Sequence, residues 1–171
     1  MILLIVLVIL SYLIGAIPTG YWYAKYYFGV DVTAHGSGNI GATNVARVLG
    51  SKKHFILIFL LDFLKAYAML VITARLLHGR EQMLLVLAAA LVLGNAYSIF
   101  LRFRGGKGVA TTVGILAAVA PVAVLTLFLL IWVVVYRMVK QVDLASLVGL
   151  IMASVYALYA SSLEFSLFML S

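Results

Sequence analysis

The run GVATTVGILAAVAPVAVLTLFLLIWVVVY, residues Gly108–Tyr136, holds 29 consecutive uncharged residues. At about 1.5 Å of rise per residue, one helix of that length reaches roughly 43 Å, too long for one comfortable crossing of a hydrocarbon core of about 30 Å and short for two. Pro121 lies near its middle, where a proline removes a helical hydrogen bond and clashes with the preceding turn. The flanking charges discriminate between one span and two, because loops on the cytoplasmic side carry an excess of Lys and Arg. As a tight hairpin broken at Ala120-Pro121, the run leaves Lys25, Arg47, Lys52, Lys53, Arg102, Arg104, Lys107, Arg137 and Lys140 on one side and Arg75 and Arg80 on the other, nine against two. As a single span it gives seven against four. The hairpin is therefore expected, with the N-terminus outside and residues 25–53 and 102–107 facing the cytoplasm.

Composition supports a membrane setting for the rest of the chain. Of 171 residues, 66% are hydrophobic and 10% charged, and the mean hydropathy is +1.21. A soluble core of this size cannot bury so much apolar surface. The apolar runs are continuous rather than alternating, which favours helices over a barrel. The expected fold is all-α: a polytopic transmembrane helix bundle forming one integral membrane domain over residues 1–171, with about six spans plus a short re-entrant or interfacial helix.

Met1–Ala24 lacks the positive n-region of a signal peptide and reads as the first span. Ile40–Leu49 reads as the short helix, since ten residues rise only about 15 Å. His54–Ala74, Gln82–Leu101, the two limbs of the hairpin and Leu144–Leu163 complete the spans, and Glu164–Ser171 is too short to cross. The net charge of +7 belongs to loops and lipid headgroups and does not point to nucleic acid. There is no cysteine, and the histidines at 35, 54 and 78 have no ligand-like spacing, so neither a metal nor another cofactor is expected.

Small residues recur at four-residue spacing in Ala16, Gly20 and Ala24, in Ala110, Gly114 and Ala118, and from Ala145 through Gly149, Ala153 and Ala157 to Ser161. Such rows let helices approach closely in lipid. Asp62 and Lys65, three apart in an apolar run, read either as an ion pair facing the bundle interior or as a functional pair.

Two polar stretches stand out. Arg102-Phe103-Arg104-Gly105-Gly106-Lys107-Gly108-Val109-Ala110-Thr111-Thr112 combines cations, glycines and hydroxyls at a helix start, which suits a phosphate; a basic anchor at the membrane edge is the simpler alternative. Gly36-Ser37-Gly38-Asn39-Ile40-Gly41 fits G-x-G-x-x-G, but it follows a membrane helix rather than a strand, so a dinucleotide site is excluded. The Arg102–Thr112 stretch fails as a P-loop, since Gly108 follows Lys107 and Leu101 stands where the first glycine belongs. A phosphate nest remains at the stretch that begins at Gly36. Thr43, Asn44 and Arg47 can share a helix face, and the alternative is a polar helix cap from Ser37 or Asn39.

Together these stretches resemble the motifs of the bacterial acyl-phosphate:glycerol-3-phosphate acyltransferase family, small polytopic membrane enzymes. The first motif is matched by Gly36-Ser37-Gly38-Asn39-Ile40-Gly41-Ala42-Thr43-Asn44 with Arg47, and the second by Phe103-Arg104-Gly105-Gly106-Lys107-Gly108-Val109-Ala110-Thr111. Tyr12-Leu13-Ile14-Gly15-Ala16-Ile17-Pro18, Leu61-Asp62-Phe63-Leu64-Lys65 and Leu144-Ala145-Ser146 are similar to further family segments.

The resemblance implies transfer of a fatty acyl group from acyl phosphate to the 1-position of glycerol-3-phosphate, giving lysophosphatidic acid for phospholipid synthesis at the bacterial inner membrane. It implies catalytic roles for Ser37, Arg47 and Lys107. Gly38, Asn39, Gly41, Thr43, Asn44, Arg104, Gly105, Gly106, Gly108, Thr111 and Ser146 are the implied substrate-binding residues. The implied partners are acyl phosphate, glycerol-3-phosphate and membrane lipid.

Departures from the family pattern are Asn95 for a usual His, Ser98 for a usual Pro, and Arg104 for a usual Lys. A further span and a third motif with His, Asn and Glu are also expected of the family, and the sequence to Ser171 does not contain them. A non-catalytic paralogue or a transporter that binds a phosphorylated lipid or metabolite is the alternative.

Overall fold

The apolar runs become helices, with proline at positions 18 and 121 where two of them break. The computed structural model of the chain describes residues 2–77, 81–142, 144–153, 155, 156 and 159. In order these form α1 (Ile2–Ala16), α2 (Thr19–Phe28), α3 (Ala42–Val48), α4 (Lys52–Leu77), α5 (Glu81–Ala96), α6 (Val109–Val119), α7 (Val122–Val139) and α8 (Leu144–Ala153). Short 3-10 turns lie at Val32–Ala34 and Ile99–Leu101. No strand occurs among the described residues, in keeping with the all-α expectation.

The first span is not one straight helix. It breaks at Ile17-Pro18 and bends by 43° into α2, because Pro18 has no N–H and disfavours a helical residue before it. α2 then runs four residues past the expected end at Ala24 and stops at Gly29, whose φ of 68° lets its N–H turn back to the Ala24 and Lys25 carbonyls. Three stretches among the described residues are long and apolar enough to cross a membrane, namely Lys52–Leu77, Met83–Leu101 and Val122–Val139, and the bent pair α1–α2 reaches that length and apolarity only when its two helices are taken together. The expected break at Ala120-Pro121 is present. Its first limb, α6, has 11 residues, a rise of only about 16 Å. The expected short helix is seven residues long in α3. Parts of Leu144–Leu163 and all of Glu164–Ser171 lie outside the described residues, as do His78 and Arg80.

The chain divides into two compact units, residues 1–119 and 120–171. In the first, Leu7, Ala66, Leu70, Leu87, Leu91 and Ile115 join α1, α4, α5 and α6 in one buried cluster. Close approach is made possible by glycine. A Cβ at Gly15 would collide with the Leu91 carbonyl, one at Gly94 with the Tyr12 carbonyl, and one at Gly114 with the Phe63 carbonyl. Without a hydrophobic driving force between helices in lipid, such backbone proximity supplies the van der Waals contact. A second cluster, Ala24, Val32, Ile40, Val45 and Ile58, lies beneath residues 30–48 and roots the first polar loop in α2 and α4.

The second unit contains α7 and α8. Gly149 faces the Phe128 ring, and Trp132 Nε1 donates to Ser146 Oγ at 3.0 Å, which donates in turn to the Val142 carbonyl at 2.7 Å. Ser146 therefore sits in this unit with its hydroxyl engaged.

Candidate active site: two glycine loops

The first loop is built from within. Asp31 precedes the 3-10 turn and accepts from the Thr33 N–H at 2.9 Å and from its hydroxyl, a capping arrangement that satisfies an otherwise unpaired donor. Those two bonds, with smaller contributions from Lys25 and His35, hold the Asp31 carboxyl below the usual carboxylate range. His35 Nδ1 lies 2.8 Å from the Asp31 carbonyl; since a carbonyl only accepts, Nδ1 carries the proton.

The centre of the loop is Asn44, only 2% exposed. Its Oδ1 accepts from the Ser37 N–H at 2.9 Å. Its Nδ2 donates to the Val32, His35 and Asn39 carbonyls at 3.0, 3.1 and 2.8 Å. Gly36, at φ 62°, must be glycine twice over, since a Cβ there would also strike Asn44 Oδ1. Gly38 is likewise left-handed, at φ 71°. Asn39 accepts from the Gly41 N–H at 2.8 Å, and Gly41 opens α3. Asn44 does not share an outward face with Arg47: it is turned inward, while Ser37, Thr43 and Arg47 are exposed.

The second loop takes its shape from its neighbours. Ser98 leaves α5, and its carbonyl accepts from the Leu101 and Phe103 N–H groups at 3.1 and 2.8 Å. Arg102 and Phe103 are successive left-handed residues, at φ 54° and 60°, a conformation that costs side-chain-bearing residues roughly 1–2 kcal/mol each. The Ser98 bonds hold that reversal. Gly105 lies flat on the end of α5, where a Cβ would collide with the Asn95 and Ala96 backbone. The Gly106 N–H donates to the Asn95 carbonyl at 2.9 Å. Gly108, buried and at φ 73°, turns the chain into α6, where its carbonyl accepts from Thr112 N–H at 2.7 Å. Thr111 is fully buried in the first turn, and its hydroxyl has no partner among the described residues. Arg104 and Lys107 are exposed.

The two loops meet at Gly106. A Cβ built there would stand 3.7 Å from Ile40 Cγ1, 3.9 Å from Asn39 Oδ1 and 3.1 Å from Asn95 Oδ1. Neither loop contains an acidic residue between Gly36 and Arg47 or between Ser98 and Thr112, whereas Arg47, Arg104 and Lys107 are all exposed there. Exposed cations on both loops, with no carboxylate in residues 36–47 or 98–112, suit anions with several oxygens.

The sequence model of the Glycerol-3-phosphate acyltransferase family matches residues 5–171. The chain belongs to that family. It is 42% identical to the glycerol-3-phosphate acyltransferase of Aquifex aeolicus over 154 residues, covering 90% of this chain and 79% of the relative. With that of Thermosipho melanesiensis it shares 41% over 154 residues, 90% and 74% of the two chains. The crystal structure of PlsY, an integral membrane glycerol 3-phosphate acyltransferase in its glycerol 3-phosphate form, superposes with a TM-score of 0.83 at 41% identity, covering 92% of this chain and 77% of that one. The lysophosphatidic acid form gives 0.81, covering 92% and 76%.

Within this acyltransferase-family chain, the departures at 95 and 98 fall at the seat of the second loop. Asn95 is 6% exposed and supports Gly106 through its backbone. Ser98 has φ −65°, which a proline would also adopt, but its hydroxyl donates to the Ala16 carbonyl, a bond that proline cannot make. The motif runs themselves mark the exposed groups of the candidate site. They did not reveal Asn95 and Ser98 as its supports, nor Gly15 and Gly94 as the contacts that bring α5 against α1. The small residues at 15 and 94 were the available signal.

Proposed function

We propose that this chain catalyses acyl transfer to glycerol-3-phosphate, giving lysophosphatidic acid, with an acyl phosphate as donor. The observation that carries the reading is the meeting at Gly106 of two glycine stretches, residues 36–47 and 98–112, that carry exposed cations and no carboxylate, in a chain of this family. Both substrates bear phosphate, and each loop offers exposed cations, Arg47 on one and Arg104 with Lys107 on the other. The glycerol 1-hydroxyl oxygen attacks the acyl carbonyl carbon, the bond from that carbon to the phosphate oxygen breaks, and inorganic phosphate leaves. The hydroxyl proton passes to a substrate phosphate.

Positioning and electrostatic stabilisation account for most of the rate in this scheme. Lys107 and Arg47 clamp phosphate oxygens, and Arg104 assists at the leaving group. The Ser37 hydroxyl orients the acyl carbonyl or the attacking hydroxyl, with no His–Asp relay behind it to make it a nucleophile. Asn44, its amide engaged within the loop, sets the shape from which Ser37 and Arg47 project. The nine-to-two charge balance supports a site on the cytoplasmic side of a bacterial plasma membrane, with the acyl chain among the helices.

The test is an assay of purified protein with radiolabelled glycerol-3-phosphate and either acyl phosphate or acyl-CoA. Lysophosphatidate is expected from acyl phosphate alone. Lys107→Ala and Arg47→Ala are each expected to lower turnover by about 100-fold or more, on the scale of losing one charged transition-state donor. Lysophosphatidate from neither donor would overturn the reading, and unchanged turnover in both variants would remove the assigned roles.

A further inference from the structure

An ion pair inside an apolar bundle is costly unless it is well satisfied, and the one in α4 is spent on the break between α1 and α2. Lys65 Nζ lies 2.7 Å from Asp62 Oδ1, with both side chains nearly buried. The same ammonium donates to the Ile17 carbonyl at 2.9 Å and the Gly15 carbonyl at 3.2 Å. Thr19 Oγ1, just beyond Pro18, donates to Asp62 Oδ1. The carbonyl between the two that Lys65 takes, that of Ala16, accepts from Ser98 Oγ. Three successive carbonyls at the break are thus met by side chains from α4 and from the seat of the second loop.

Both loops are tied to this break. Gly20, in the first turn of α2, lies against the Ile40 carbonyl so closely that a Cβ would collide with it. Ile40 belongs to the first loop, and its side chain is near Gly106 of the second. Ser98 is the residue whose carbonyl holds the Arg102-Phe103 reversal. The break therefore contacts the first loop through Gly20 and the second through Ser98, and Lys65 fixes the backbone between those contacts.

We propose that Lys65 and Asp62 are positioning residues for the two-loop site, holding the kinked α1–α2 segment so that the loops stand in the register needed for transfer. This rests on the acyl-transfer reading for its kinetic consequence but not for its geometric one. If each loop keeps its own cations and its own internal bonds, loss of the pair leaves each phosphate site intact and shifts one against the other. Misplacement of reacting groups by about 1 Å lowers rates by about 100-fold without removing binding contacts.

The test uses the full chain in lipid nanodiscs. Lys65→Met keeps an unbranched side chain, one atom shorter, and removes the charge, and Asp62→Asn/Lys65→Met removes both charges so that no unpaired ion is left. Leu87→Ala, in the buried cluster away from the loops, serves as a stability control. With protein matched for folded fraction, Lys65→Met and the double variant are expected to lose at least tenfold in kcat while KM for glycerol-3-phosphate moves less than threefold. Lys65→Arg is expected to recover part of the loss, and Leu87→Ala to lower Tm with kcat unchanged. Wild-type kcat in both Lys65→Met and the double variant would overturn the proposal, as would a kcat loss in Leu87→Ala equal to theirs.

A second readout does not depend on turnover. The sequence has no cysteine, so Thr43→Cys and Arg102→Cys, at exposed positions on the two loops, admit a pair of spin labels. Lys65→Met is expected to broaden or shift the distance distribution between them. An unchanged distribution would overturn the proposal even if the chain made no lysophosphatidate, and absence of lysophosphatidate from the wild type would count against the acyl-transfer reading alone.

Discussion

In residues 32–44 one buried amide, Asn44, bonds to Ser37 and to three carbonyls of its own segment. In residues 98–108 the Ser98 carbonyl holds the Arg102-Phe103 reversal from within, and the remaining support comes from outside, from the Asn95 carbonyl, the end of α5 and the Ser98 contact with α1. The first loop carries its shape as local sequence, over its own apolar patch of Val32, Ile40 and Val45. The second is shaped by what it lies on. A self-braced loop fails when one internal residue is lost, whereas a supported loop fails when its seat is moved or when a side chain is placed between it and that seat.

The largest effect should separate the two modes. Asn44→Ala leaves the Ser37 N–H and three carbonyls without their partner, and the buried Val32 carbonyl left unpaired costs about 1–3 kcal/mol by itself. Turnover is expected to fall by at least ~100-fold, with the first loop losing amide protection in hydrogen exchange while residues 98–108 keep theirs. Equal loss of protection in both loops would break the contrast.

An intermediate effect should appear inside the second loop. Gly105→Ala places a methyl group into the Asn95-Ala96 backbone, whereas Gly106→Ala brings one to 3.1 Å from the Asn95 side-chain oxygen. Backbone at the end of a helix cannot yield cheaply, but a side-chain amide can move by a few tenths of an ångström. Gly105→Ala is therefore expected to lower turnover by tenfold or more, and Gly106→Ala by less than about threefold, in initial-rate assays with matched protein.

The smallest effect concerns the cap of the first loop. Asp31 has a folded pKa below its unfolded value, because the charged carboxylate accepts both Thr33 bonds. Its contribution is present above the ordinary carboxylate range and is lost as pH falls through the lowered folded value. Asn at this position still accepts from the Thr33 N–H without titrating. Asp31→Asn is expected to change Tm little at pH 7 and to flatten its decline below about pH 4, measured by thermal unfolding in detergent between pH 7 and pH 3.

Much of the candidate site was legible in the sequence because its elements are local. Gly36, Gly38 and Gly41 beside Ser37, Asn39, Thr43 and Arg47, and Arg104 to Gly108 after a long apolar run, announce backbone turns and exposed polar groups that any local structure must express. The direction of Asn44 was not legible in the same way. Residues three apart on a helix are neighbours, but whether the helix turns one of them inward depends on what lies beneath it, here the Val32, His35 and Asn39 carbonyls. The break at Pro18 could be read from proline alone; that its carbonyls would be met by Lys65 and Ser98, 48 and 82 residues away from their acceptors, could not.

What the sequence by itself determined is the membrane setting, the helical class, the two glycine motifs and the family they mark. Apolar length, proline and glycine act over a few residues and require no partner from elsewhere in the chain. Only the tertiary structure decided that the loops meet at Gly106, that Asn44 braces rather than projects, and that the buried ion pair of α4 serves the kink between α1 and α2. The last of these depends on backbone carbonyls left unpaired at the kink, those of Gly15, Ala16 and Ile17, finding donors in Lys65 and Ser98. In a medium without water to satisfy them, that pairing is fixed by how the helices pack.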